Sequence, residues 1–102
     1  MSDLTIYKYP LRIGVTELNL PLDAEVLTVQ TQNNEPMLWA IVDPDDSETE
    51  KRVFYMLGTG HRHPSSEFTD LEFIATIQLS NGELVFHVFE RVIPTTAIDG
   101  TN

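Results

Sequence analysis

Along most of this chain hydrophobic and polar residues alternate with a period of two, the spacing of a strand with one buried face. In "EVLTVQTQ" (25–32), Leu27 and Val29 fall on one face and Thr28 and Gln30 on the other. "TIYKYPLRI" (5–13) alternates weakly and is interrupted by Pro10, which suits an edge strand or a bend. "NLPLDAE" reads as a turn, and "NNEP" as a tight connection whose asparagines tolerate left-handed backbone. "MLWAIVD" breaks the rule, with Met37, Trp39 and Ile41 on one face and Leu38, Ala40 and Val42 on the other. That pattern predicts a central strand covered on both sides. "VFYMLG" (53–58) is a further strand, and "HPSSEFTDLE" a loop with one helical turn near Ser65–Phe68. Two alternating runs, "LEFIATIQLS" and "ELVFHVFERVI", flank Asn81-Gly82, a strong hairpin signal.

Six candidate strands and no sustained helical period predict an all-β domain, a small antiparallel β-sandwich or barrel with a C-terminal hairpin at Asn81-Gly82. At 102 residues there is room for one core. The expected division is a single β domain over residues 1–92 and a flexible tail over 93–102. The absence of cysteine excludes disulfides, thiolate metal sites and cysteine nucleophiles. With no signal-like apolar segment near the N-terminus, a cytoplasmic location is expected, without membrane contact.

Charge adds a constraint on partners. Sixteen acidic residues against six basic ones leave a net charge of −10, which opposes direct nucleic-acid binding. Such a surplus ordinarily serves as a solvated surface; its sharper reading is a face that docks on a basic protein. The excess lies mainly in residues 1–50, so Lys51, Arg52 and Arg62 are expected to make a local positive spot near the histidines.

Candidate chemistry centres on "GTGHRHP" (58–64). Gly58 and Gly60 can expose backbone N–H groups, Thr59 adds a hydroxyl, and His61 and Arg62 add positive charge, a set able to cradle a small anion. Trp39 is available for stacking on such a ligand. The simpler reading is a turn that needs glycine for its shape. His61, His63, Glu67 and the later His87 follow an order similar to the metal ligands of cupins, although Pro64 interrupts the pair and the second cupin motif is lacking. A surface loop explains the same residues. His87 has the parity of Val85 and Phe89, opposite Leu84, Phe86 and Val88, so Glu90 faces away from it unless the strand bulges. The acidic loop at 43–50 lacks the glycine and ligand spacing of an EF-hand. No nucleophile stands with a base and an orienting group, so an enzyme is not expected, nor a cofactor.

"YKYPL" (7–11), "LWAIVDP" (38–44), "GTGH" (58–61) and "LVFHVFE" (84–90) together resemble an uncharacterised family of small proteins from phages and prophages. The resemblance spans roughly residues 6–90 and implies a phage-borne accessory protein. Members of that family often read "GTGHP", so Arg62 and His63 are additions here, and Gly58 to His61 form the shared element. The leading functional expectation is a non-enzymatic protein that binds and inhibits a host factor, such as a basic nucleic-acid-binding or defence protein. The alternatives are a protein that sequesters a nucleotide or other small anionic ligand at Gly58–His63, and a cupin-like metal-binding protein. Homodimerisation is expected because "MLWAIV" and "LVFHVF" carry more apolar surface than a thin sandwich covers.

Overall fold

The computed structural model describes residues 3–92; the expected tail at 93–102 lies outside them. Seven strands, β1 (Thr5–Pro10), β2 (Gly14–Pro21), β3 (Glu25–Gln32), β4 (Glu35–Val42), β5 (Thr49–Gly58), β6 (Leu71–Leu79) and β7 (Leu84–Arg91), form two antiparallel sheets. One has the order β1-β4-β3 and the other β2-β5-β7-β6. They stack as a sandwich without closing into a barrel, and the slab measures 44 × 37 × 15 Å. A thickness of 15 Å holds two layers and no third.

Seven strands replace the expected six because β2 was not anticipated, and its last residues, 19–21, fall within the stretch read as a turn. Its inward positions are Thr16, Leu18 and Leu20, while Val15 points outward and is half exposed. A threonine inside and a valine outside blur the alternation, and the true turn is only Leu22–Ala24. Leu27 is also corrected. A bulge between Val26 and Thr28 puts Val26 and Val29 on the core side and leaves Leu27 exposed.

The connection from β3 to β4 uses Asn33 and Asn34, both at positive φ (54° and 65°), a geometry that follows the strand twist. The C-terminal hairpin forms as expected, with a wider loop, Ser80–Glu83, closed by Gly82 N–H to the Leu79 carbonyl oxygen and Glu83 N–H to that of Ser80. Ser80 N–H also donates to Asn34 Oδ1 at 2.8 Å, tying the two hairpins and the two sheets together at one end.

The core joins the inward faces of both sheets: Leu38, Ala40 and Val42 of β4, Val29 of β3, Leu20 of β2, Phe54 and Met56 of β5, Ile77 of β6, and Phe86 and Val88 of β7. β4 is central in its sheet, as expected, but only one of its faces is covered. Met37, Trp39 and Ile41 point out of the sandwich, because a two-layer slab shields one face of each sheet.

Candidate functional site

β5 ends at Gly58, and the chain then turns. His61 N–H donates to the Gly58 carbonyl oxygen at 3.3 Å, with Gly60 at φ +88°, a left-handed position that side chains resist. The His61 imidazole lies against Gly58, where an added Cβ would stand 2.9 Å from its Cε1. Thr59 N–H donates to the Val85 carbonyl oxygen at 3.1 Å. Two amides of the glycine turn are thus bonded within the chain. A cavity of about 310 Å³ adjoins them, lined by Gly58, Thr59, His61, Glu83, Leu84, Val85 and Phe86.

His87 shares a face with Val85 and Phe89 as parity predicts, and that face is the outer one, with Phe86 and Val88 buried beneath the sheet. Thr59 Oγ1 lies 2.7 Å from its Nε2, and Thr76 Oγ1 of β6 lies 2.9 Å from its Nδ1. In a neutral ring one nitrogen donates and the other accepts, so both hydroxyls are used. The imidazole braces three segments: the glycine turn, β7 and β6.

The connection after Gly58 crosses the sheet. Gly58 pairs with Phe86 near one end of β7, while Leu71 pairs with Arg91 at the other, so residues 59–70 pass over β7 on its outer side. The expected helical turn is there, a short 3-10 helix at Ser65–Phe68. Phe68 meets Phe89 edge-on at 6.1 Å between ring centroids, Phe89 meets Phe73 at 5.7 Å, and His63 meets Phe68 at 6.0 Å. His63 Nδ1 is 2.9 Å from Glu67 Oε1, one helical turn on. The bond directs Nδ1–H to the carboxylate, and the buried Nε2 has no partner among the described residues. Arg91 packs over the Tyr55 ring and donates to its hydroxyl.

His63 and Glu67 therefore meet, while His87 is held by threonines. Among the described residues no three histidine, aspartate or glutamate side chains converge as a metal site would require. Trp39 stands on the outer face of the other sheet, with the Lys8 ammonium 5.8 Å from its ring centroid. It does not line the cavity beside Gly58.

The expected positive spot does not form. β5 runs from Thr49 to Gly58, placing Lys51 and Arg52 roughly 20 Å from the glycine turn at about 3.3 Å per residue. Lys51 faces Glu17 at 3.7 Å. The Arg52 guanidinium forks onto both carboxylate oxygens of Glu90 and donates to the Ala24 carbonyl oxygen at 2.7 Å. The bond to Glu90 raises its already high pKa, against the opposing effect of burial. Glu90 thus faces away from His87, as parity predicts, and closes the sandwich end.

That end is acidic. The loop at 22–24 and the loop at 43–48 lie side by side, joined by Leu22 N–H to the Glu48 carbonyl oxygen at 3.0 Å and Asp23 N–H to Glu50 Oε2 at 3.1 Å. Asp43 Oδ1 accepts from Asp45 N–H and Asp46 Oδ1 from Glu48 N–H, so these carboxylates are held by the backbone of their own loop. Asp23, Glu25, Asp43, Asp45, Asp46, Glu48 and Glu50 share this end.

Two features escaped sequence reasoning. The aromatic chain Phe68–Phe89–Phe73 was signalled only by the shared outward parity of Phe73 and Phe89. The Arg52–Glu90 pair depends on strand register 38 residues apart, for which no local signal exists.

Fold and surface together define a small two-sheet all-β domain with an acidic end and an aromatic, loop-covered face. The chain belongs to the family described as a domain of unknown function (DUF7352), whose model matches residues 2–97. No curated protein and no solved structure matches it. Among the described residues no helix is long and apolar enough to cross a membrane.

Proposed function

We propose that this protein is a non-enzymatic binding domain, a phage-type accessory protein that binds and inhibits a basic host factor in the host cytoplasm. The observation that carries this reading is the acidic end. Seven of the sixteen acidic residues are gathered on two hydrogen-bonded loops and the strand ends beside them. Carboxylates positioned by backbone N–H groups form a fixed pattern of negative charge, which favours fast, salt-sensitive association with a basic surface. A nucleic-acid-binding or defence protein has such a surface.

The test is affinity purification from host lysate at low and moderate salt, with wild type and a D43N/D45N/D46N variant, followed by titration of the purified partner. The reading predicts one basic protein held by wild type, released by salt, lost in the variant, and inhibited in its own assay. Equal retention of the same proteins by the variant refutes it.

A second reading, sequestration of a small anionic ligand such as a nucleotide, is favoured by the cavity beside Gly58, Thr59 and His61. Its size stands at the lower limit of ligand pockets. It predicts thermal stabilisation of the isolated protein by one nucleotide, abolished in His61→Ala, while Arg62, expected from the sequence to help hold the ligand, does not line the cavity. A flat screen against mono-, di- and cyclic nucleotides removes it.

A further inference from the structure

The outer face of the β1-β4-β3 sheet has an apolar centre and polar flanks, with Lys8 Nζ donating to Gln32 Oε1 at 2.5 Å across the sheet, and no described segment crosses it. Register sets Ile6 opposite Ile41, Lys8 opposite Trp39 and Pro10 opposite Met37, all on this side. β3 adds Thr28 and Gln30 beside Trp39 and Met37. Ile6 is 55% exposed, and Met37, Trp39 and Ile41 are half-buried. Six consecutive apolar residues, Met37 to Val42, have the composition of a strand shielded on both faces. The described residues supply one shield only. On the other sheet, residues 59–70 cross the outer face and pack Phe68 onto Phe89; no described segment does the same here.

We propose that this face is the interface of a homodimer in which two copies stack their three-stranded sheets face to face. Charge selects the occupant. Among the described acidic residues, only Glu25 and Glu35 lie on this face, both at strand ends, and Lys8 sits mid-face above Trp39. Two chains of net charge −10 repel through most orientations, above all through their acidic ends. Stacked here, they bring apolar centres together and leave carboxylates at the rim, where water screens them. A strongly basic partner is drawn to the acidic end instead.

Area sets the strength. Two strands of eight residues and one of six, about 4.8 Å apart and rising about 3.3 Å per residue, give a face of at most roughly 15 by 26 Å. Side-chain relief raises this to about 600 Å² per copy, the lower end of stable interfaces. Tryptophan and methionine, residue types enriched in interface centres, occupy the middle. The dimer is therefore micromolar in affinity rather than nanomolar.

Sedimentation velocity over a concentration series of the full chain tests the proposal. Wild type is expected to convert reversibly from the 11.6 kDa monomer to twice that mass. Trp39→Glu raises the dissociation constant at least roughly thirtyfold, the effect of losing one hot-spot side chain. Its circular dichroism stays native. Phe73→Glu, on the outer face of the other sheet, leaves the dimer intact. Should Trp39→Glu fail to fold, Ile6→Glu gives the same reading from an exposed edge position. A wild type monomeric up to about 1 mM overturns the proposal. So does a dimer that survives both Trp39→Glu and Ile6→Glu, or one lost only in Phe73→Glu.

Discussion

The two outer faces of this sandwich solve one problem in different ways. Each sheet buries its inner face in the shared core and leaves its outer face toward water. On the four-stranded sheet the chain crosses part of that face, over β7, and leaves Phe73 and Val15 exposed beside it. Residues 59–70 cross β7, and Phe68 continues a line of edge-on aromatic contacts through Phe89 to Phe73. On the three-stranded sheet Met37, Trp39 and Ile41 are crossed by no described segment. The comparison gives "GTGHRHP" a structural role. It is the start of a covering crossover, shaped by Gly60 at positive φ and pinned through Thr59 to His87.

The largest separation between the two faces is expected on truncating one aromatic from each. Phe89→Ala removes the ring that both Phe68 and Phe73 contact. It should cost about 2 kcal/mol in urea unfolding, less than the ~3–5 kcal/mol of a fully buried phenylalanine because Phe89 is only half-buried. Trp39→Ala should cost less, about 1 kcal/mol in dilute protein, because Trp39, half-buried like Phe89, is flanked by the Lys8 ammonium rather than by two aromatic rings. Equal losses would mean that the faces are equally covered. Next in size is Gly60→Ala, which forces a side chain into the left-handed region and should destabilise by about 1–2 kcal/mol. Hydrogen exchange should quicken in residues 61–70 while β4 amides keep their protection. Thr59→Val, which removes a hydroxyl partner of His87, should cost about 1 kcal/mol. A loss shared equally by β4 would break the claim that the brace is local.

The smallest effect concerns Tyr9, on the inward side of the open sheet's edge strand. Burial, with a lesser contribution from Tyr7, raises its phenol above the ordinary 10.0. The neutral form is favoured in the fold, so its stabilising contribution is complete below pH 10 and is lost as pH rises through the raised folded value. Stability should decline on that alkaline limb, and Tyr9→Phe should flatten the decline. An unchanged alkaline limb in Tyr9→Phe would show that another group governs it.

Much of the architecture was legible because strand periodicity is local. The opposite facing of His87 to Phe86, Val88 and Glu90, the asparagine turn at 33–34 and the C-terminal hairpin all follow from nearest-neighbour geometry. β2 was missed where a buried threonine and an exposed valine mask the period. Leu27 was misplaced because a bulge shifts phase without a sequence mark. Of the candidate site, the glycine turn and the His63–Glu67 contact were accessible from spacing. Lys51 and Arg52 were assigned to the wrong end, because sequence proximity to the histidines becomes most of a strand length once β5 extends.

The sequence by itself determined the fold class, the faces of most strands and the excess of negative charge, since these depend on residue type and on a period of two. Tertiary structure decided where the charges gather, that Arg52 closes against Glu90, and that a loop crosses one outer face while no described segment crosses the other. Those outcomes rest on strand order and on register between residues far apart in the chain, which alternation along a single strand does not encode.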